Sequence, residues 1–330
     1  MGLWFFFAPE EPFCALRNLK KITHGIMVKT AVSSLIGIGL AGLLVGCGGK
    51  ENGEGGSTGA VPPALVITAI PDEKVSDQEA RFQALKAYLA EKLDIKVEFS
   101  ISKDYAASVQ RFANGEVHMA WFGGFTGVQA RERVKTARAI AQGNLDPQFK
   151  SYFIANASTG LSKSEEFPAE AIKDLTFTFG SPSSTSGRLM PEYFIKQITG
   201  KSAADFFSKE VQFQKSGGHV ATAEAVQAGS VQVGAINFKT YDSMVADGRL
   251  DPEKAPIIWV TPDYADYNLT VHGDLDKHFG EGFIDDLQEV LVGCEDREVL
   301  KAFNRDKLIP ATNEDFAGIE AVAKELGLMR

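Results

Sequence analysis

From residue 64 onward, apolar positions fall into two rhythms. Alternating or unbroken apolar runs predict strands at 64–70, 95–101, 116–122, 136–142, 152–156, 175–179, 211–214, 231–236, 257–261 and 269–271. Helical spacing predicts helices between them, as over 78–93, where Phe82, Leu85, Tyr88, Leu89 and Leu93 share one face. Asn114-Gly115 ends the predicted helix 105–113, and two helices at 281–292 and 313–326 form the tail. This alternation predicts an α/β fold with largely parallel sheets. Three strand-to-helix junctions, at 122–126, 180–187 and 216–219, carry small or hydroxyl residues. Ligands of open α/β sheets sit at the carboxyl ends of strands, so one cleft can collect all three.

The residues ahead of this body follow another pattern. Ala31 to Val45 is an uncharged run of 15 residues preceded by Lys29, short of the roughly 20 that a spanning helix needs. Its flanks are those of a signal peptide. Leu44-Val45-Gly46-Cys47 resembles the lipobox of bacterial lipoproteins, which implies lipidation of Cys47 as the first mature residue. Residues 1–46 are therefore expected to be a signal region, with Met27 as an alternative start, and 47–63 a glycine-rich tether.

With 44% hydrophobic and 23% charged residues, the chain can bury a large core. Its formal charge is −9, and residues 1–46 carry four basic against two acidic residues, so the body is more acidic still. That argues against nucleic acid and requires any anion site to be local. Of three cysteines, removal of Cys14 and acylation of Cys47 would leave Cys294 alone, so no disulfide framework is expected. Phosphate-loop, nucleophile-elbow, zinc-protease and dinucleotide motifs are missing, and the five histidines do not fall at metal-ligand spacings. No catalytic residue, cofactor or metal is expected.

The candidate chemistry lies in Gly180-Ser181-Pro182-Ser183-Ser184-Thr185-Ser186-Gly187, after the strand 175–179. Hydroxyl donors and free N–H groups at a helix start, where the macrodipole favours negative charge, suit a tetrahedral anion. A plain helix cap would use the same residue types. Pro191 leaves two starts open. A helix from Ser186 sets the proline against the carbonyl of Gly187, and a helix from Pro191 leaves the hydroxyl run ahead of it.

This run with Pro191, together with Asp104-Tyr105-Ala106, Trp121-Phe122-Gly123 and Gly218-His219, resembles the periplasmic phosphonate/phosphite-type binding proteins of ABC transporters, over about residues 64–326. The resemblance implies that Ser184, Thr185 and Ser186 grip the tetrahedral group, with Tyr105 and His219 as further contacts. It departs at Phe122, where the family commonly has tyrosine, and at Asn237-Phe238-Lys239, where aminophosphonate binders place a carboxylate. Lys239 would disfavour a ligand amine and favour extra negative charge. Together with Ala265-Asp266-Tyr267-Asn268, this resembles the selenate-binding branch, although Asp266 offers an acceptor that selenate cannot use.

A two-lobed, type II-like periplasmic-binding-protein fold is thus expected, each lobe a mostly parallel sheet flanked by helices. Lobe one would comprise 64–157 and 262–330 and lobe two 158–261, with crossings near Asn156 and Thr261 and the ligand in the interlobe cleft. The implied function is a monomeric substrate-binding lipoprotein that passes a small oxyanion (selenate-like, phosphite or phosphonate) to an ABC permease and its ATPase. A surface phosphoester hydrolase and a sensory module are the alternatives.

Overall fold

The computed structural model describes residues 64–214 and 217–330. The expected signal region, Cys47 and the expected tether lie outside them. The strands are β1 (Leu65–Ala69), β2 (Val97–Phe99), β3 (Met119–Phe122), β4 (Arg138–Gly143), β5 (Ser151–Ala155), β6 (Phe177–Phe179), β7 (Gln212–Phe213), β8 (Val233–Asn237), β9 (Ile257–Val260), β10 (Asn268–Val271) and β11 (Leu308–Pro310). The helices that bear on the site are α1 (Val75–Leu93), α2 (Tyr105–Ala113), α3 (Gly124–Arg133), α4 (Met190–Thr199), α5 (Gly218–Gln227), α6 (Phe238–Ala246) and α7 (Ala317–Glu325).

The strands form two sheets, ordered β11-β4-β10-β3-β1-β2 and β7-β6-β8-β5-β9. Strands β1 to β4 share one direction, as do β6 to β9, in keeping with the sequence pattern. Each sheet also takes in one opposed strand. β10 lies antiparallel between β3 and β4, and β5 antiparallel between β8 and β9, so both sheets are mixed. Periodicity reports which residues face the core and says nothing of strand direction. β11, unforeseen in the sequence, is antiparallel to β4 at the sheet edge, where Pro310 is tolerated.

The assignment of residues up to 157 to lobe one needs correction, since β5 belongs to the second sheet. The first crossing therefore precedes Ser151 rather than lying near Asn156, and the return falls between β9 and β10, close to the expected Thr261. The two crossing segments are joined by a single antiparallel bridge, in which Phe149 and Tyr264 exchange N–H···O bonds of 2.9 Å each way. Alternation within the second sheet fills both its faces. Phe153, Phe177 and Trp259 pack on one side, and Ile154, Ile236 and Tyr241 on the other. In the first sheet Phe82, Leu85 and Leu89 of α1 are buried as their spacing predicts.

Candidate anion site where the two sheets meet

The hydroxyl run leaves β6 through Gly180 and enters a π-helical turn over Thr185–Leu189 before α4 begins at Met190. This wide turn resolves the two readings of Pro191. In a continuous α-helix the carbonyl of Gly187 would look for the N–H that Pro191 lacks; here it accepts from Gly180 N instead, at 2.8 Å. The extended Ser184 caps the turn, its Oγ accepting from Gly187 N at 3.0 Å. Thr185 Oγ1 accepts from Phe125 N at 3.0 Å, which ties the run to the start of α3. Ser186 Oγ lies 3.5 Å from His219 Nε2, and its carbonyl accepts from Ser151 Oγ at 2.7 Å. All three side chains are buried.

Asn237 N donates to His219 Nδ1 at 3.3 Å, so the ring proton sits on Nε2, directed at Ser186. Burial pushes the His219 pKa down to about 3, which makes the ring a neutral donor at physiological pH. Tyr105 begins α2, which Asp104 caps by accepting from Ala107 N at 2.7 Å. Its hydroxyl is buried beside that of Ser184 and makes no well-aligned hydrogen bond within the protein. Burial first, then the nearby Asp72 and Asp266 carboxyls, raise its pKa well above the usual 10, so it stays a donor.

Two residues outside the expected contact set complete this cluster. Asp266 Oδ1 accepts from Gly124 N at 2.9 Å, while Oδ2 is buried and unpaired. Burial raises the Asp266 pKa to about 7, against the opposing pull of the Gly124 N–H and the Thr185 hydroxyl. A Cβ on Gly123 would come within 3.0 Å of Thr185 Oγ1 and 3.2 Å of Asp266 Oδ1, so this approach needs glycine. Asp72, in the turn after β1, accepts from Tyr267 Oη at 2.8 Å and from Gln78 Nε2 at 3.2 Å, and Asn237 Nδ2 donates to Tyr267 Oη at 3.1 Å. His219 N also donates to the Asp72 carbonyl at 3.3 Å. Gly218, at φ +47°, permits that contact, since its Cβ would stand 2.8 Å from Asp72 Cα.

The structure thus brings Ser184, Thr185, Ser186, Tyr105 and His219 together and adds Asp266 and Asp72. All three expected junctions meet, through Phe125, Thr185 to Ser186, and His219. Phe122 is fully buried with its ring edge-on to Phe112, 5.6 Å between centroids, and the backbone just after it is what meets Thr185 and Asp266. Lys239, in the first turn of α6, lines both a small cavity of about 20 Å³ with Asp72, Asn237 and Tyr267 and an open groove of about 730 Å³ with Glu73, Arg81, Asn304 and Arg305. Asp72 escaped sequence reasoning because the end of β1 carries no glycine or hydroxyl flag. Its position at the carboxyl end of a strand was the available signal. Among the described residues, no group of three or more His, Cys, Asp or Glu side chains is placed to hold a metal, and no helix is long and apolar enough to cross a membrane.

Two α/β sheets joined by paired crossings, with buried donors gathered where the sheets meet, define the periplasmic-binding-protein class. The model of one family, the ABC transporter, phosphonate, periplasmic substrate-binding protein, matches residues 67–316, and the chain belongs to that family, which is a transporter component and not an enzyme. A probable ABC transporter phosphite binding protein, PhnD1 of Prochlorococcus marinus, is 34% identical over 275 residues, which cover 82% of this chain and 92% of the relative. The structure of PhnD1 in complex with methylphosphonate matches with a TM-score of 0.76 at 33% identity, over 81% of this chain and 99% of that one. The phosphonates-binding periplasmic protein of Escherichia coli is 29% identical over 202 residues, 60% of this chain and 58% of the relative.

Proposed function

We propose that this protein captures a tetrahedral phosphorus oxyanion carrying a single proton, of the methylphosphonate or phosphite kind, and delivers it to an ABC permease with its ATPase. The observation that carries this is the pair of buried atoms without protein partners at the hydroxyl cluster, Asp266 Oδ2 and Tyr105 Oη. One can accept a ligand proton and the other can donate to a ligand oxygen, and buried polar groups in native proteins are otherwise paired. Ser184, Thr185, Ser186 and His219 Nε2 supply the remaining donors.

The selenate expectation rested on Lys239, which lines the small cavity beside Asp72 and Tyr267 as well as the outer groove, and on the stretches Ala265 to Asn268 and Gly180 to Ser183. Selenate only accepts hydrogen bonds, and a buried carboxylate facing it would carry a cost. We assign Lys239 to the approach path, where it adds positive potential to an acidic body. The two lobes, each built on one sheet, close on the anion about the Phe149 and Tyr264 bridge. Support also comes from the methylphosphonate bound to the similar PhnD1.

The deciding experiment is a calorimetric titration of residues 48–330 with methylphosphonate, phosphite, sulfate and selenate. One-to-one binding of the two phosphorus anions, tighter than either of the others, is expected. Equal or tighter binding of selenate sinks the proposal. We further propose anchoring through lipidated Cys47; fatty-acid labelling in a bacterial host should disappear in Cys47→Ser, and labelling that persists refutes the anchor.

A further inference from the structure

Arg131 lies two turns along α3 from the glycine turn at the site, buried against β10 and α7. Its Nη1 donates to Asn268 Oδ1 at 3.1 Å and to Thr270 Oγ1 at 2.8 Å, and Thr270 Oγ1 donates to the same Asn268 oxygen at 2.7 Å. Asn268 Nδ2 in turn reaches the carbonyls of Gly123 and Asp266, at 3.4 Å each. The guanidinium lies 5.0 Å from the Phe316 ring centroid, and Nη2 has no partner. A Cβ on Gly127 would fall 2.7 Å from Asn268 Oδ1 and 2.9 Å from Arg131 Nη1, so α3 carries glycine where this network passes.

Arg131 differs from the other deeply buried arginine, Arg305, whose Nε donates to both oxygens of buried Asp146 at 3.1 Å. Among the described residues Arg131 forms no ion pair. Its carboxylate neighbour Glu320 is half exposed and pairs with Lys324 at 2.6 Å. Burying a charge without a counter-ion destabilises a fold, so packing alone does not account for a guanidinium here. A bound anion would supply the missing negative charge.

We infer that Arg131 is a positioning residue for the bound oxyanion. It holds the Gly123 and Gly124 turn through Asn268 and adds a buried positive charge behind that turn. The inference rests on the proposed anion binding. From Gly124 to Arg131 the helix rises about 10 Å. At that distance, with an effective dielectric constant of about 20, a unit charge alters anion affinity on the order of ten-fold.

Arg131→Met and Arg131→Lys in the 48–330 protein, titrated with methylphosphonate and melted without ligand, test this. Arg131→Met is expected to weaken binding about ten-fold without lowering the Tm of the unliganded protein. Arg131→Lys is expected to stay within about three-fold of the wild-type affinity. If Arg131→Met fails to fold, Arg131→Gln, neutral but still a donor to Asn268, takes its place with the same expected loss. Wild-type affinity in the neutral variant overturns the inference. So does equal weakening in the lysine variant, which would leave only a packing role. Failure of the wild-type protein to bind any phosphonate sinks the functional proposal itself, whereas a neutral variant that binds normally sinks this inference alone.

Discussion

Simultaneous replacement of Ser184, Thr185 and Ser186 by alanine is expected to weaken methylphosphonate binding by at least about a thousand-fold. A hydrogen bond to a charged group contributes about 1.5–3 kcal/mol, and about 1.4 kcal/mol is ten-fold in affinity. Even the lower bound for three donors therefore exceeds a thousand-fold. Two of these hydroxyls have a second task in the fold. Ser184 Oγ caps the π-turn and Thr185 Oγ1 holds Phe125 N. Loss of the cap costs about 1 kcal/mol, so the triple variant should melt a few degrees lower yet remain folded. Ser186→Ala separates the two roles, because the Ser186 hydroxyl contacts His219 rather than a backbone cap. It should lose affinity with almost no change in Tm. The measurements are calorimetric Kd and thermal melting. A folded triple variant that binds as tightly as the parent would remove the hydroxyl run from the site.

Asp266→Asn is expected to narrow the preference for methylphosphonate over sulfate at pH 7 by about a hundred-fold or more. The ordinary value of the Asp266 carboxyl is near 3.8, and its burial in this structure raises it to about 7; we take that burial to come from closure of the proposed cleft. The neutral acid is thus favoured in the closed form. Stability of that form from this group is fully present below pH 3.8 and is lost as pH rises through about 7. Sulfate or selenate, which carry no proton at these pH values, can be enclosed favourably only when Asp266 takes one up. Their affinity should fall about ten-fold per pH unit across that window. A phosphonate monoanion brings its own proton, as phosphoryl groups do up to a second pKa of about 6.

Asp72 behaves in the same sense, raised to about 7 chiefly by burial. It lies against Tyr267 and Gln78, and we expect it to affect all ligands alike. Below about pH 6, where methylphosphonate keeps its proton, the ratio of sulfate to methylphosphonate affinities therefore isolates Asp266. That ratio should slope with pH in the parent and be flat in Asp266→Asn, whose amide can donate to an aprotic anion. A flat ratio in the parent refutes the assignment. These two variants probe different halves of the proposed recognition, in which the hydroxyl run holds any tetrahedral anion and Asp266 selects by proton content.

Legibility from sequence followed the range of each interaction. Helix α1, with Phe82, Leu85 and Leu89 inward, and the buried strand β1 were readable because side-chain patterning is local, whereas β3, read as alternating, is buried at all four positions. The opposed strands β5 and β10 were not, because an isolated strand pattern is the same in either direction. The donors Ser184 to Ser186, Tyr105 and His219 were named from their motifs. Phe122 and Lys239 were named with them; the ring of Phe122 turns to Phe112, while Lys239 lines both the small cavity beside Asp72 and Tyr267 and the outer groove.

By itself, then, the sequence determined the α/β class, the absence of recognised catalytic and metal motifs, and the density of hydroxyl donors after β6. All of these follow from composition and near-neighbour spacing. Only the tertiary structure decided which distant groups share the site. Gly124 meets Asp266 across 142 residues, and Asp72 meets Tyr267 across 195. It also decided the protonation of those groups, since desolvation depends on everything packed around a carboxyl and is not a property of any local stretch of chain.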